Sequence, residues 1–283
     1  MTLSIITINR NNATGLRKTI ESVVSQTYTD FEYIVIDGAS TDESVDIIKE
    51  YADKIDYWVS EPDKGIYNAM NKGILKANGE YLLFLNSGDW LVDENKIQLM
   101  INNLNNEDIL IANMYLVDDD HSKKNNYIGI YPNDYSNDEI TAIDLIYGAI
   151  PHNTSFIKKD LFFKNGLYDE TYQIVSDWKF LIKNIVFNNA NTKVLRNIFV
   201  TNFDMSGIST NNIELNQKER ELVLNEFFTS TILKDYNAYY QLYLQNESIQ
   251  KRYKDYMVLR NNKFFLIFIR TFLWLHRKFK QAQ

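Results

Sequence analysis

The sequence predicts an α/β fold: a mostly parallel sheet flanked by helices, followed by a C-terminal helical extension. Three observations carry this. Through the first 115 residues, short β-branched or apolar runs alternate with stretches of helical apolar spacing, the pattern of strands joined by helical crossovers. Each run closes on turn-prone polar residues. The last 70 residues contain no proline and are rich in Tyr, Phe and Leu.

Taken in order, residues 3–8 (LSIITI) form the first strand and end at Asn9, Arg10, Asn11 and Asn12. Leu16, Ile20, Val23 and Val24 then recur at helical spacing. Residues 31–36 (FEYIVI) are the second strand, closed by Asp37 and Gly38. Ser40, Thr41, Asp42 and Glu43 fit a capping box for a helix carrying Val45, Ile48 and Tyr51. Residues 57–59 are a short third strand, and Ile66, Met70, Ile74 and Ala77 share one face of a helix over residues 65–77. Residues 81–85 (YLLFL) make a fully apolar fourth strand ahead of Asn86, Ser87, Gly88 and Asp89. A helix over 97–104 and a strand over 109–116 follow. Residues 117–148 are polar and irregular; helix signals return at 178–187 and strand signals at 192–203.

Composition narrows the function. With 0 Cys in 283 residues there is no thiol nucleophile, disulfide framework, Fe–S centre or cysteine zinc site. His121, His152 and His276 stand apart, which argues against a histidine metal cluster. A net charge of −7 and a pI near 5.1 argue against nucleic-acid binding. The charge is unevenly spread: residues 251–283 carry nine Lys or Arg against the single acid Asp255, which leaves −15 on the preceding 250 residues. The opening residues lack a basic region, so no secretory signal is expected. No stretch reaches the ~20 apolar residues of a membrane span.

In an open α/β sheet, ligands bind beyond the carboxyl ends of the strands. The sequence places Thr7, Asn9, Asp37, Glu61, Asp63 and residues 86–89 there. Gathered acids without a Cys or His cluster suit a hard divalent cation, Mg²⁺ or Mn²⁺, of the kind that neutralises a diphosphate. Ordinary loop acids and helix caps are the plain alternative. No G-x-G-x-x-G follows the first strand and no G-x-x-x-x-G-K-[ST] occurs, which disfavours a dinucleotide site and a P-loop.

Four segments in order and at matching spacing, SIITINRN, DFEYIVIDGASTDES, SEPDKGIYNAMNKGI and GEYLLFLNSGDW, resemble the family 2 glycosyltransferases. The likeness continues through PHNTSF and VSDW to about residue 209. It implies the GT-A nucleotide-diphospho-sugar transferase fold over residues 1–210, a helical extension over 211–283, and an inverting enzyme of bacterial surface-polysaccharide type. By position, Thr7 and Asn9 are implied to line the nucleotide pocket and Asp37 to recognise the uracil and ribose side. Asp63 and Lys64 open the third motif, with Lys64 meeting base or diphosphate; Asn68 and Asn71 supply neutral contacts or form a solvated helix face. Asn86, Ser87, Gly88 and Asp89 stand where most relatives carry an acidic D-x-D-type cluster. Asn86 and Ser87 are then donor contacts, and Asp89 is the one expected side-chain metal ligand. His152 touches diphosphate or acceptor, or is simply packed; as an imidazolium it offsets leaving-group charge. Asp177 matches the catalytic base at the start of an apolar helix, with a helix N-cap as the plain alternative. Trp178 walls the sugar or acceptor ring, or sits in the core. Gly207 and Ser209 resemble a loop that closes over the donor.

The implied reaction moves a hexose or N-acetylhexosamine from a UDP-sugar to a hydroxyl of a glycan acceptor, lipid-linked as in relatives that assemble surface polysaccharide. The basic, aromatic run over 263–280 suits a helix lying on anionic lipid, hence a cytoplasmic enzyme held peripherally at the inner face of the membrane. Packing of that run on the domain or on a second subunit is the alternative. Phe227, Phe228, Tyr236, Tyr239, Tyr240 and Tyr243 read as core or dimer contacts, so a homodimer is among the expectations. Two other functions compete. A non-catalytic sugar-nucleotide or glycan-binding scaffold is kept open by the weakened acidic motif. A sugar-1-phosphate nucleotidyltransferase shares the sheet plan but needs a Gly-rich loop where residues 9–12 stand.

Overall fold

Strand β1 (Leu3–Asn9) is buried along its whole length because β2 (Phe31–Asp37) and β4 (Tyr81–Phe84) pair with it in parallel on either side. β3 (Tyr57–Ser60) adds in parallel to the outside of β2. The computed structural model describes residues 2–117, 124–127, 140–205 and 212–261. Helices α1 (Ala13–Val24), α2 (Ser44–Glu50) and α3 (Ile66–Lys76) connect these four strands. α1 buries Leu16, Thr19, Ile20 and Val23 on one face and starts at Asn12, whose side-chain oxygen accepts the Gly15 N–H.

The capping box expected ahead of α2 does not form, since Glu43 makes no side-chain cap. Asp42 instead accepts the N–H groups of both Ser44 and Ala13, and Thr41 N–H donates to Asn11 Oδ1. One carboxylate thus serves donors at the starts of two helices and ties together two loops at the carboxyl edge of the sheet.

Past β4 the sheet becomes mixed. β5 (Trp90–Leu91) and α4 (Lys96–Asn103) lead into β6 (Ile109–Val117), which β7 (Lys124–Tyr127) flanks antiparallel. The region unassigned from sequence contains α5 (Ala142–Tyr147), a 3₁₀ turn (His152–Thr154), β8 (Ser155–Lys158) and α6 (Lys159–Asn165). β8 lies antiparallel between β4 and β6, so it joins the parallel half of the sheet to the rest. The helix expected at 178–187 begins earlier, as α7 (Ser176–Leu181), and continues as a π-helical turn (Ile182–Phe187). β9 (Thr192–Asp204) runs parallel to β6 and antiparallel to β5, which gives the strand order β3-β2-β1-β4-β8-β6-β9-β5.

Alternation along the strands divides the core. Leu3, Ile5, Tyr33, Val35 and Leu83 pack in one cluster with α1. Phe84 meets Phe162 and Tyr168 in a separate aromatic group, in which Phe162 stacks on Phe180 at 4.2 Å. The chain divides into compact units Met1–Leu224 and Asn225–Gln283. α8 (Ile213–Phe227) contributes Glu219 and Arg220 to the first, and α9 (Ser230–Asn261) belongs to the second. Among the described residues, no helix is long and apolar enough to cross a membrane. The run over 263–280 and the loop of Gly207 and Ser209 lie outside the described residues.

Candidate active site

The carboxyl edge of the parallel strands carries a fully buried carboxylate. Asp37 ends β2 and accepts from Asn9 Nδ2 (2.8 Å), Ser40 N–H (2.9 Å), Ser40 hydroxyl (2.6 Å) and Ser60 hydroxyl (2.6 Å). These bonds fix the Asn9 amide with its nitrogen toward Asp37, and the buried Asn9 Oδ1 is left without a partner. Asp63 lies against the same edge because Gly38 has no side chain: a Cβ there would meet Asp63 Oδ2 at 2.2 Å. Arg10 reaches Asp63 at 3.8 Å and is two-thirds exposed, while Lys64 is exposed.

Helix α3 binds the loop that leads to α7. Asn71 donates to the Tyr168 carbonyl and to Glu170, and accepts the Tyr168 N–H. Asn68 donates to Glu170 and accepts the Lys64 N–H. Farther along the loop, the buried Glu219 carboxylate accepts three backbone N–H groups, those of Gln173, Ile174 and Val175. The residues leading into α7 thus have their donors satisfied before the helix begins, and Asp177 lies in its first turn.

A hydrogen-bonded line crosses from α3 to the end of β4. The Tyr67 hydroxyl shares its proton between the Ile174 carbonyl (2.5 Å) and Asp177 Oδ1 (2.8 Å). Asp177 Oδ2 meets His152 Nδ1 at 2.9 Å, and His152 Nε2 meets the Asn86 amide at 3.1 Å. Burial favours a neutral Asp177, but the bond and charge of His152, followed by Tyr67 and the Trp178 N–H, bring its carboxyl below the usual range. Burial likewise opposes charge on His152, yet Asp177 and then Asp89 raise its pKa above the usual histidine value. With the Asn86 nitrogen donating, the ring is neutral; with that amide turned over, Oδ1 receives an imidazolium Nε2–H.

Beside this line, the loop after β4 is held by α1: Asn12 Nδ2 donates to the Ser87 carbonyl, and the Thr19 hydroxyl serves Gly88 N–H and the Asp89 carbonyl. The Asp89 carboxyl is buried and accepts from Asn153 Nδ2 (3.0 Å) and the Asp204 N–H (3.2 Å). Burial pushes it up to about 7, against the opposing effect of His152.

The sequence model of glycosyl transferase family 2 matches residues 4–163. The chain belongs to this family. It is a glycosyltransferase with the GT-A fold. It is 30% identical over 197 residues to the uncharacterized glycosyltransferase Rv1514c of Mycobacterium tuberculosis, with 64% of this chain and 68% of the relative covered. It is 29% identical over 186 residues to a PGL/p-HBAD biosynthesis glycosyltransferase of Mycobacterium bovis, with 64% and 68% covered. Among solved structures it resembles S. aureus TarS 1-349 in complex with UDP, at a TM-score of 0.58 and 20% identity, a likeness of fold. The match covers 72% of this chain and 60% of the TarS chain.

In this family 2 glycosyltransferase, the structure joins Asn86, His152 and Asp177 from three separate motifs. It departs from the sequence expectations at several other residues. Thr7 is fully buried with its hydroxyl on the Tyr33 phenol (3.1 Å), so it supports the edge from below instead of lining a pocket. Asn71 is buried and Asn68 half-buried, and both amides bond to the 168–170 loop. Trp178 is a core residue: its indole N–H donates to the Leu145 carbonyl at 2.7 Å and Arg220 covers its ring at 4.0 Å. Ser87 is half-buried in the loop.

Three residues of the site escaped the sequence analysis. Tyr67 is one turn before Asn71 and shares its helix face, the available signal. Asp204 directly follows the strand expected at 192–203, so the strand-end rule reaches it as well. Glu219 carries no local signal.

A divalent cation of the kind expected in this fold suits the chemistry of the loop. Each oxygen of Asp89 holds one hydrogen bond, which leaves acceptor capacity, and Asn153, whose amide nitrogen binds it, has a buried Oδ1 without a partner. Mg²⁺ characteristically takes one or two carboxylates plus substrate phosphates.

Proposed function

We propose that the enzyme transfers a hexose or N-acetylhexosamine from a UDP-sugar to a hydroxyl of a glycan acceptor with inversion, and that Asp177 is the general base. The observation that carries this is the Tyr67–Asp177–His152–Asn86 line, which fixes an ionised carboxylate beside the strand end where a sugar nucleotide belongs. The acceptor oxygen forms a bond to the anomeric carbon as the bond from that carbon to the diphosphate oxygen breaks. The hydroxyl proton passes to Asp177, and the electron pair leaves with UDP. His152 orients Asp177 through Nδ1, is itself held through Nε2 by Asn86, and as an imidazolium offsets charge on the departing diphosphate. Mg²⁺ or Mn²⁺ at Asp89, when bound, stabilises charge on the diphosphate.

At the nucleotide end, Asp37 holds Asn9 so that its unpartnered Oδ1 is left to accept a ring N–H, with Arg10 and Asp63 paired at the same edge. The UDP and UDP-GlcNAc complexes of TarS support the choice of donor. A donor panel tests it: UDP-sugars are expected to release their nucleotide faster than GDP- or dTDP-sugars when acceptor glycan is added. Preference for another base removes the UDP reading, and binding without any turnover favours the scaffold.

The transferase domain in this reading is residues 1–210, with 211–283 as a helical extension whose basic run holds the enzyme to the cytoplasmic face of the membrane, near a lipid-linked acceptor. The full chain is expected to float with anionic liposomes and a chain ending at residue 248 to stay behind. Equal flotation rejects the anchor.

A further inference from the structure

The loop of residues 86–89, where the resemblance expects an acidic cluster, carries the single acid Asp89, and another strand brings a carboxylate beside it. A Cβ built on Gly88 would lie 3.4 Å from Asp204 Oδ2 and 3.6 Å from Asp204 Cβ. The side chain of Asp204 thus borders Gly88 at ordinary contact distance, with the Asn12 amide equally close at 3.4 Å. Gly88 has a φ of +106°, a conformation that favours glycine, so the loop is shaped to do without a side chain there. The two acids are also tied together, since the Asp204 N–H donates to Asp89 Oδ1. Because β9 is held by β5 and β6, Asp204 is delivered by the sheet and not by the loop itself. Asn153, 1% exposed, places its Nδ2 on Asp89, and its Oδ1 is left without a partner.

The geometry points to Asp204 as the second carboxylate of the divalent-cation site, supplementing the single acid of the 86–89 loop, alongside Asp89 and the donor diphosphate. This rests on the nucleotide-diphosphate reading above. Two neighbouring carboxylates repel a diphosphate unless a cation lies between them, and that fixes the sign of the test.

UDP, GDP and inorganic pyrophosphate are titrated calorimetrically into the full chain and into Asp204→Asn, each with Mn²⁺ and with EDTA. Mn²⁺ is expected to tighten UDP binding to the unsubstituted chain, and the variant to lose about tenfold or more of that gain. In EDTA the variant is expected to bind UDP as well as the unsubstituted chain or better, since one repelling charge has gone. A purely structural Asp204 would weaken both arms alike and lower the melting temperature, which overturns the assignment. Full Mn²⁺ enhancement in the variant, or none in the unsubstituted chain with any of the three ligands, overturns it too. If GDP or pyrophosphate shows the Asp204-dependent effect and UDP does not, the UDP reading fails while the cation ligand stands.

Discussion

Asp177→Asn is expected to lower kcat/KM for sugar transfer by about 10²–10⁴-fold, the usual worth of a positioned general base. The substitution keeps the shape of the side chain. Its oxygen still accepts from Tyr67, and its amide faces His152 Nδ1, which turns acceptor by changing tautomer. What is lost is the capacity to take the acceptor proton, so UDP affinity and melting temperature are expected to hold. Acceptor-dependent UDP release, calorimetry and a thermal melt on the same preparation check all three. Full turnover in the variant would strip Asp177 of the role. In the ligand-free enzyme the carboxyl titrates below its usual value. That carboxyl is therefore ionised through the neutral range, and its own protonation is expected to cost rate only as pH falls below the ordinary aspartate range.

Glu219→Ala is expected to destabilise the chain by about 2–5 kcal/mol, since it strands buried backbone donors that have no other partner. Ile174 and Val175 are both buried, and each gives its N–H to this one carboxylate, as does Gln173. Glu219→Gln keeps one acceptor atom and is expected to fall between Ala and the natural residue. Urea unfolding followed by tryptophan fluorescence reads the effect, because Trp178 lies just past the loop. A shift of less than about 0.5 kcal/mol for Ala would mean that water takes over the donors.

The parallel half of the sheet was legible because β1, β2 and β4 are short apolar runs bounded by polar turns, a pattern that needs no partner to be recognised. β8 was not, since its placement depends on antiparallel pairing with strands about 45 and 75 residues away in sequence. Strand-end position marked Asn86, and motif resemblance marked His152 and Asp177, but neither shows which way a side chain turns. Thr7 sits at a strand end and yet points to Tyr33. The choice between wall and core for Trp178 was made by Leu145 and Arg220, from segments without a motif. Glu219 acts through backbone atoms 44 to 46 residues away, a link that single-sequence periodicity does not carry.

Helix α3 has a consequence for how donor preference can evolve. One rigid element of 11 residues starts beside the Asp63 and Lys64 edge, holds Asp177 through Tyr67 and fastens the following loop through Asn71. A substitution that tilts it to suit a new nucleotide also displaces Asp177. Changes of base preference should therefore accumulate at Arg10 and along the β1–β2 edge, where side chains can vary one at a time. Grafts that exchange α3 between relatives are expected to carry their own 168–177 loop with them.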